Sequence, residues 1–264
     1  MKRLAVVLAV GAAVGAILGG CARAPAPGVA VAPAELREFV ASLEAPWDGV
    51  DALRGSGDAE ITVSGRTLRS DFAIAYSRDG WARFDLRPRL GSLGTSLTAL
   101  GMVEGDCARA YFPARVIEIH GCFSDLVAVG PPDLAPLLVG AVDPEFLLGL
   151  GSPTLAVSGD LSTLRGEIAG LPVRVETESG LLTELELTGS DGATMLLVSY
   201  ARPGESGEPG PSRVVVEVES DSGETARAVL RYARLRRSEP LARDDYAPAI
   251  PPGARSLHWR ELAL

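Results

Sequence analysis

The sequence predicts a mainly β (α+β) domain of mostly antiparallel strands behind an export signal. Three observations carry this reading. Apolar residues alternate with a period of two in many segments from Leu53 onward. Short turns such as Ser64-Gly65-Arg66, Arg78-Asp79-Gly80 and Ser220-Asp221-Ser222-Gly223 separate those segments. The chain opens with a basic pair, a short apolar run and small residues before a cysteine.

The opening is Met1-Lys2-Arg3, then Leu4 to Leu18 without a charge, then Gly19-Gly20-Cys21. The apolar run is shorter than the roughly 20 residues of a spanning helix. Leu18-Gly19-Gly20-Cys21 resembles the lipobox of bacterial lipoproteins. That resemblance implies cleavage after residue 20, a diacylglycerol with palmitate-like chains on the Cys21 sulfur, and usually an acylated new amino terminus. The competing reading is a plain signal peptide with an incidental cysteine. One acyl chain holds a protein only reversibly at about 0.8 kcal/mol per buried methylene, whereas two or three keep it on its bilayer. Ala22, in place of an aspartate, resembles lipoproteins sorted to the outer membrane and facing the periplasm. Residues 21–33, rich in Ala, Pro and Gly, read as a lipidated flexible tether, leaving 34–264 as one domain.

The chain carries 25 basic and 34 acidic residues, net −9. Without Lys2 and Arg3 the net charge is −11, and every remaining base is an arginine. So acidic a chain is not built for nucleic acid or for electrostatic adhesion to anionic lipid. Any membrane attachment must come from lipid. Aromatics are few, so aliphatic side chains must fill the core.

With Cys21 lipidated, Cys107 and Cys122 remain as a pair in an oxidising compartment. They bracket two alternating stretches, Ala108–Phe112 and Val116–His120, around Pro113-Ala114-Arg115. A hairpin centred there sets the two cysteines opposite each other, at a spacing suited to a disulfide. Closing about 15 residues is worth roughly 3 kcal/mol in the chain-entropy account. A metal site is the rival, since His120 stands two residues before Cys122. Only His258 could add a second imidazole and there is no CxxC, so no metal is expected.

Ala34 to Ala45 reads as a helix burying Leu36, Phe39, Val40 and Leu43. Strands follow at Leu53–Val63, Leu68–Tyr76 and Trp81–Leu86. Arg87 to Gly94 interrupts them, and Thr95–Val103 and Cys107–Phe112 resume. Residues 131–138 and 143–151 read as two short apolar helices, the second with Asp143 as cap, Pro144 in the first turn and a glycine beyond its end. Strands return at Arg165–Ile168, Leu171–Glu178, Leu182–Thr188, Thr194–Tyr200, Arg213–Glu219 and Thr225–Leu235. Arg227, Arg231, Arg234, Arg236 and Arg237 read as a solvated face paired to Glu217 and Glu219, in preference to a binding patch.

This order of elements resembles the LolA/LolB superfamily of lipoprotein-localisation proteins over roughly residues 34–262. The likeness rests on Leu53-Arg54-Gly55-Ser56-Gly57, on Trp81-Ala82-Arg83-Phe84-Asp85-Leu86, on Pro88-Arg89-Leu90-Gly91 with Arg89 inserted, and on Pro144 to Gly151. It implies an incomplete, strongly curved antiparallel barrel with an N-terminal helix and a short helical lid over an apolar hollow that takes acyl chains. Leu36, Phe72, Ile74, Phe84, Leu137, Phe146 and Leu147 are the expected lining. In the membrane-anchored, LolB-like branch a protruding leucine loop pushes chains into the bilayer; Leu90 or Leu93 occupies that position, unless both pack inward. The cysteine pair is not a general family feature.

The expectation is therefore a lipid-binding, outer-membrane-anchored lipoprotein. It would receive or insert lipoproteins, with their acyl chains and a periplasmic carrier as partners. Burial at about 25 cal/mol per Å² of apolar area suffices for that task, so no catalyst or cofactor is needed. The alternatives are a structural or interaction lipoprotein of an envelope complex and an envelope stress sensor. An enzyme is disfavoured: there is no GxSxG, HExxH or P-loop, and a nucleophile would need His120 or His258 beside it.

Overall fold

The computed structural model describes residues 28–63, 65–88, 99–125, 132–201, 210–219 and 225–258. The chain forms one curved, non-closed sheet of 15 strands with four short helices. In chain order, strands β1 (Val29–Ala30), β2 (Ala52–Val63), β3 (Arg66–Ser77), β4 (Trp81–Pro88), β5 (Ala99–Glu104), β6 (Cys107–Phe112) and β7 (Ile117–Cys122) precede the middle helices. Strands β8 (Gly151–Ser158), β9 (Leu161–Ile168), β10 (Leu171–Glu178), β11 (Leu181–Thr188), β12 (Thr194–Ala201), β13 (Arg213–Glu219), β14 (Thr225–Ser238) and β15 (Arg255–His258) follow. The sheet order is β1-β8-β9-β10-β11-β12-β13-β14-β2-β3-β4-β5-β6-β7-β15. Every pairing is antiparallel except β15 on β7. The two runs meet at the β2–β14 seam, which pairs Ala52–Val63 with residues 226–238.

Antiparallel connection gives the sheet two rims. The upper rim carries the β3–β4, β5–β6, β8–β9 and β10–β11 turns; the lower carries β2–β3, β6–β7 and β9–β10. Leu53, Ile61, Phe72, Ile74, Val175, Leu185, Val198 and Val216 point to the concave side and join one buried apolar cluster. Two core-facing glycines allow the curvature. A Cβ on Gly57 would lie 1.9 Å from the Arg231 carbonyl oxygen, beside the β14 irregularity at Tyr232–Arg234. A Cβ on Gly101 would sit 1.9 Å from the Phe84 ring, which lies over that bare backbone.

Helices close the concave side. Helix α1 (Pro33–Glu44) begins with proline in its first turn, and Glu35 Oε2 accepts from the Ala32 N–H at 2.9 Å. It buries Leu36, Phe39, Val40 and Leu43, the expected face. Helix α2 (Leu134–Leu137) is a single buried turn. In helix α3 (Pro144–Leu148) Asp143 Oδ1 accepts from the Glu145 N–H at 3.0 Å and the Gly149 N–H donates to the Glu145 carbonyl, so cap, proline and glycine act as read from sequence.

Four elements had no clear sequence signal. β8 contains Pro153 and a left-handed Ser152, which mask its alternation; both are tolerated beside the sheet edge. β1 pairs Val29 with Leu155 and Ala30 with Thr154, so the sheet begins within the stretch read as tether. Helix α4 (Arg243–Tyr246) and β15 belong to a C-terminal strap across the convex face of β2–β5. There Leu241 packs with Ala52, Ala75, Trp81 and Met102, and the Tyr246 ring lies 5.6 Å from Trp81. Arg243 holds Glu104 through two bonds of 2.9 and 2.6 Å, and Arg83 donates to the Tyr246 carbonyl at 3.0 Å.

Cys107 and Cys122 form a disulfide on a rung of the β6–β7 hairpin, 15 residues apart. On the convex face Arg174 bridges Glu176, Glu184 and Glu186. Within the arginine group, Arg227 stands opposite Glu217 on β13, while Arg231 pairs with Asp58 of β2 at 3.1 Å. Burial pushes the Glu217 carboxyl from the ordinary 4.5 up to about 7, Arg227 opposing the rise and Glu184 adding to it.

Gly101→Ala should lower stability by about 1–3 kcal/mol in urea melts, and adding Phe84→Ala should cost less than the sum of the two single variants. Reduction of the disulfide should cost about 3 kcal/mol, read as a drop in the urea midpoint that Cys107→Ser reproduces. The folded state holds the Glu217 proton more tightly than the unfolded chain. This contribution is complete below the unfolded value near 4.5 and is lost as pH rises through about 7. Glu217→Gln should therefore flatten the stability profile across that window and be more stable than the parent at pH 8, as measured by melts at stepped pH.

Candidate functional site

The seven residues expected to line a ligand hollow all fall in the larger buried cluster. Leu36 comes from α1, Phe72 and Ile74 from β3, Phe84 from β4, Leu137 from α2, and Phe146 and Leu147 from α3. Helices and sheet bury these side chains against one another. Leu137 and Leu147 are essentially inaccessible.

An open volume lies beside this cluster, at the upper rim. It is a half-open cavity of about 240 Å³. Trp47, in the turn after α1, and Gly140, after α2, form one wall. Leu181, Leu182 and Thr183 of β11 and Tyr200 and Ala201 of β12 form another, Pro211 lies across, and Glu178 and Ser179 stand with them. Leu182 belongs to the main core, so the cavity continues the concave apolar surface rather than forming a separate site. Its volume is below the roughly 300–1,000 Å³ typical of sites that enclose a whole small molecule.

None of the seven expected residues lines this cavity. The sequence signals for those that do are faint: Trp47 follows Ala-Pro directly after an amphipathic helix, and Tyr200 is the one aromatic in an aliphatic strand.

Two tyrosines hold the cover down. Tyr200 donates its hydroxyl to the Leu137 carbonyl at 2.9 Å, and Tyr232 donates to the Leu138 carbonyl at 2.6 Å. They reach from the sheet to the C-terminal end of α2, where the Leu137 carbonyl also accepts from the Gly140 N–H at 3.4 Å. Burial pushes both phenols well above their ordinary range, so both remain donors at any physiological pH. Tyr200 is at once a wall of the cavity and a latch on the cover.

The chain's two imidazoles face each other across the β7–β15 edge, ring centres 5.6 Å apart. Ser256 Oγ lies 3.1 Å from His120 Nδ1, and His258 Nε2 lies 2.9 Å from Asp125 Oδ2. A serine thus does stand beside a histidine. In a nucleophilic triad, however, the carboxylate orients the same imidazole that contacts the serine. Here Asp125 holds the other ring, so the contacts bind β15 to the sheet edge. Among the described residues the one group with metal-ligand spacing is Asp106, Cys107 and Cys122, and its two sulfurs are spent in the disulfide.

Cys21, Leu90 and Leu93 lie outside the described residues. The strand ends that flank the Leu90–Leu93 segment, Pro88 and Ala99, sit on the lower rim. Among the described residues no helix is long and apolar enough to cross a membrane.

No family model matches the sequence, and no curated protein does. Solved structures do. A DUF1329 family protein from Desulfovibrio piger aligns over 82% of this chain and 97% of its own, at TM-score 0.54 and 12% identity. A domain from Vibrio parahaemolyticus, described as an outer membrane lipoprotein-sorting protein, gives 0.53 and 11% over 82% and 97% of the two chains. A LolA superfamily protein from Nitrosomonas europaea gives 0.50 and 11% over 81% and 97%. The open curved sheet of this chain is thus a fold shared with these three structures, one of them a LolA superfamily protein.

Proposed function

We propose that this protein is an outer-membrane lipoprotein, anchored through lipid on Cys21, that binds acyl chains on the concave side of its sheet and receives or inserts lipoproteins. The observation that carries the reading is the half-open apolar cavity continuous with the buried cluster under a latched helical cover. The cavity receives the first part of a chain. The rest enters only if α2 lifts and the seven core residues, Leu36, Phe72, Ile74, Phe84, Leu137, Phe146 and Leu147, exchange contacts with one another for contacts with the ligand. Each Å² of apolar ligand so buried contributes about 25 cal/mol, which offsets the loss of cover packing without any catalytic step. Acyl chains of lipoproteins, delivered by a periplasmic carrier, are the ligands of this reading.

The burial of all seven expected residues favours a second reading, an anchored structural lipoprotein that takes no ligand. The two part on ligand binding. In the first, native mass spectrometry of the domain made without residues 1–21 shows a co-purified lipid. Ala201→Trp, which fills the cavity, removes that lipid while leaving the urea midpoint within about 1 kcal/mol of the parent. An apo mass in both proteins leaves the structural reading.

The latch gives a further check. Tyr200→Phe with Tyr232→Phe should destabilise the fold by roughly 1–3 kcal/mol, since two buried phenolic hydrogen bonds are lost. It should also speed uptake of a fluorescent fatty acid in stopped-flow mixing, because the cover opens more often. Slower or unchanged uptake would argue against α2 as the moving part.

A further inference from the structure

Resting on the Cys21 anchor proposed above, we infer that the upper rim at the β8–β9 hairpin is the face this protein lays on its bilayer, so that the cavity opens toward the lipid. Three independent placements converge there.

The first is the direction of the tether. β1 is antiparallel to β8, with Val29 opposite Leu155 and Ala30 opposite Thr154. The chain preceding Val29 therefore leaves toward the β8 end that carries the Ser158–Leu161 turn. Eight residue steps separate Cys21 from Val29, a reach of at most about 26–29 Å even when fully extended. A lipidated Cys21 holds this rim close to the headgroups.

The second is exposure. Among the described residues the most exposed large apolar side chains are Val29, Val157 and Leu161, at 73%, 65% and 52%. All three belong to this corner. Val157 pairs with Ser162 and shares the concave parity of Leu164; Leu161 has the opposite parity. The hairpin tip thus shows an apolar residue on each side, a form suited to shallow entry between headgroups. Asp160 and Glu178 beside it disfavour an anionic surface, so the matching partner is zwitterionic phospholipid.

The third is the cavity. The Ser179 N–H donates to the Asp160 carbonyl at 2.9 Å and joins the β8–β9 tip to the β10–β11 turn. Glu178, Ser179 and Leu181 of that turn line the cavity. The opening and the apolar tip are therefore adjacent parts of one rim. The strand ends flanking Leu90 and Leu93 lie on the opposite rim, at the far end of strands 8–12 residues long, about 26–40 Å away.

The test uses the full lipidated protein in phosphatidylethanolamine vesicles with a minor phosphatidylglycerol fraction. An environment-sensitive fluorophore is attached in turn through Leu161→Cys, Glu167→Cys on the lower rim, and Leu90→Cys. The intact mass of each protein first establishes diacylglycerol on Cys21; its absence defeats the anchor and this proposal with it. With the lipid present, the Leu161 position should shift to the blue and lose at least half its emission to spin-labelled lipid, while the Glu167 position stays unquenched. Quenching at Leu90 or Glu167 without quenching at Leu161 overturns the orientation and leaves the anchor standing. Val157→Asp with Leu161→Asp should keep the protein on vesicles through its lipid but slow fatty-acid transfer out of them roughly tenfold. An unchanged transfer rate also overturns the proposal.

Discussion

One constraint organises the structure: a single sheet of 15 strands must bend far enough to face itself, because few other elements are available to bury its apolar side. Bending requires backbones to approach where side chains would collide. Gly57 meets the β14 carbonyl at the seam, and Gly101 leaves the floor on which Phe84 lies. The same demand explains the bulge in β14 between Tyr232 and Arg234, where twelve residues of β2 stay in pairing with a strand that turns away. Helices, core and cavity all occupy the volume this bend encloses. The cover is small because the sheet has already done most of the enclosing.

That economy sets the balance between filling and emptying. A short, wholly buried α2 contributes a few leucines to the core and is tied by two phenolic bonds, an amount of binding comparable to what an acyl chain would supply in its place. A cover worth much more would shut the hollow permanently. A cover worth much less would leave apolar surface open to water and to other proteins. The convex side shows the opposite strategy. Charged rungs centred on Arg174 and the Leu241–Tyr246 strap keep it closed.

Most of the framework was legible in the residues. Period-two alternation located the hairpins, the stripe Leu36, Phe39, Val40, Leu43 gave α1 to within a residue, and Asp143, Pro144 and Gly149 marked the ends of α3. The cysteines flanking Pro113 mark the β6–β7 register, because cross-strand partners must be equidistant from the turn. What escaped was decided by distant contacts. β1 and β15 are short edge strands, and β8 beside the edge is interrupted by Pro153 and a left-handed Ser152, so their period is weak. In the strap Leu241 and Tyr246 show no periodicity, and only the convex patch it covers gives those residues meaning. The seven expected ligand contacts were correctly judged apolar and inward, but sequence periodicity reports a side chain's direction, not whether its neighbours leave room.

The seam between β2 and β14 has a consequence for how the molecule comes into being. Its partners are separated by about two-thirds of the polypeptide, so the hollow has no central wall until residues 225–238 have arrived. Non-local pairings of this kind assemble slowly. During synthesis the N-terminal half would emerge with β2 unpaired along one side, a long adhesive strand awaiting its mate. The hazard this seam brings lies in the chain's birth, in the interval when a chaperone, or nothing at all, stands where β14 will be.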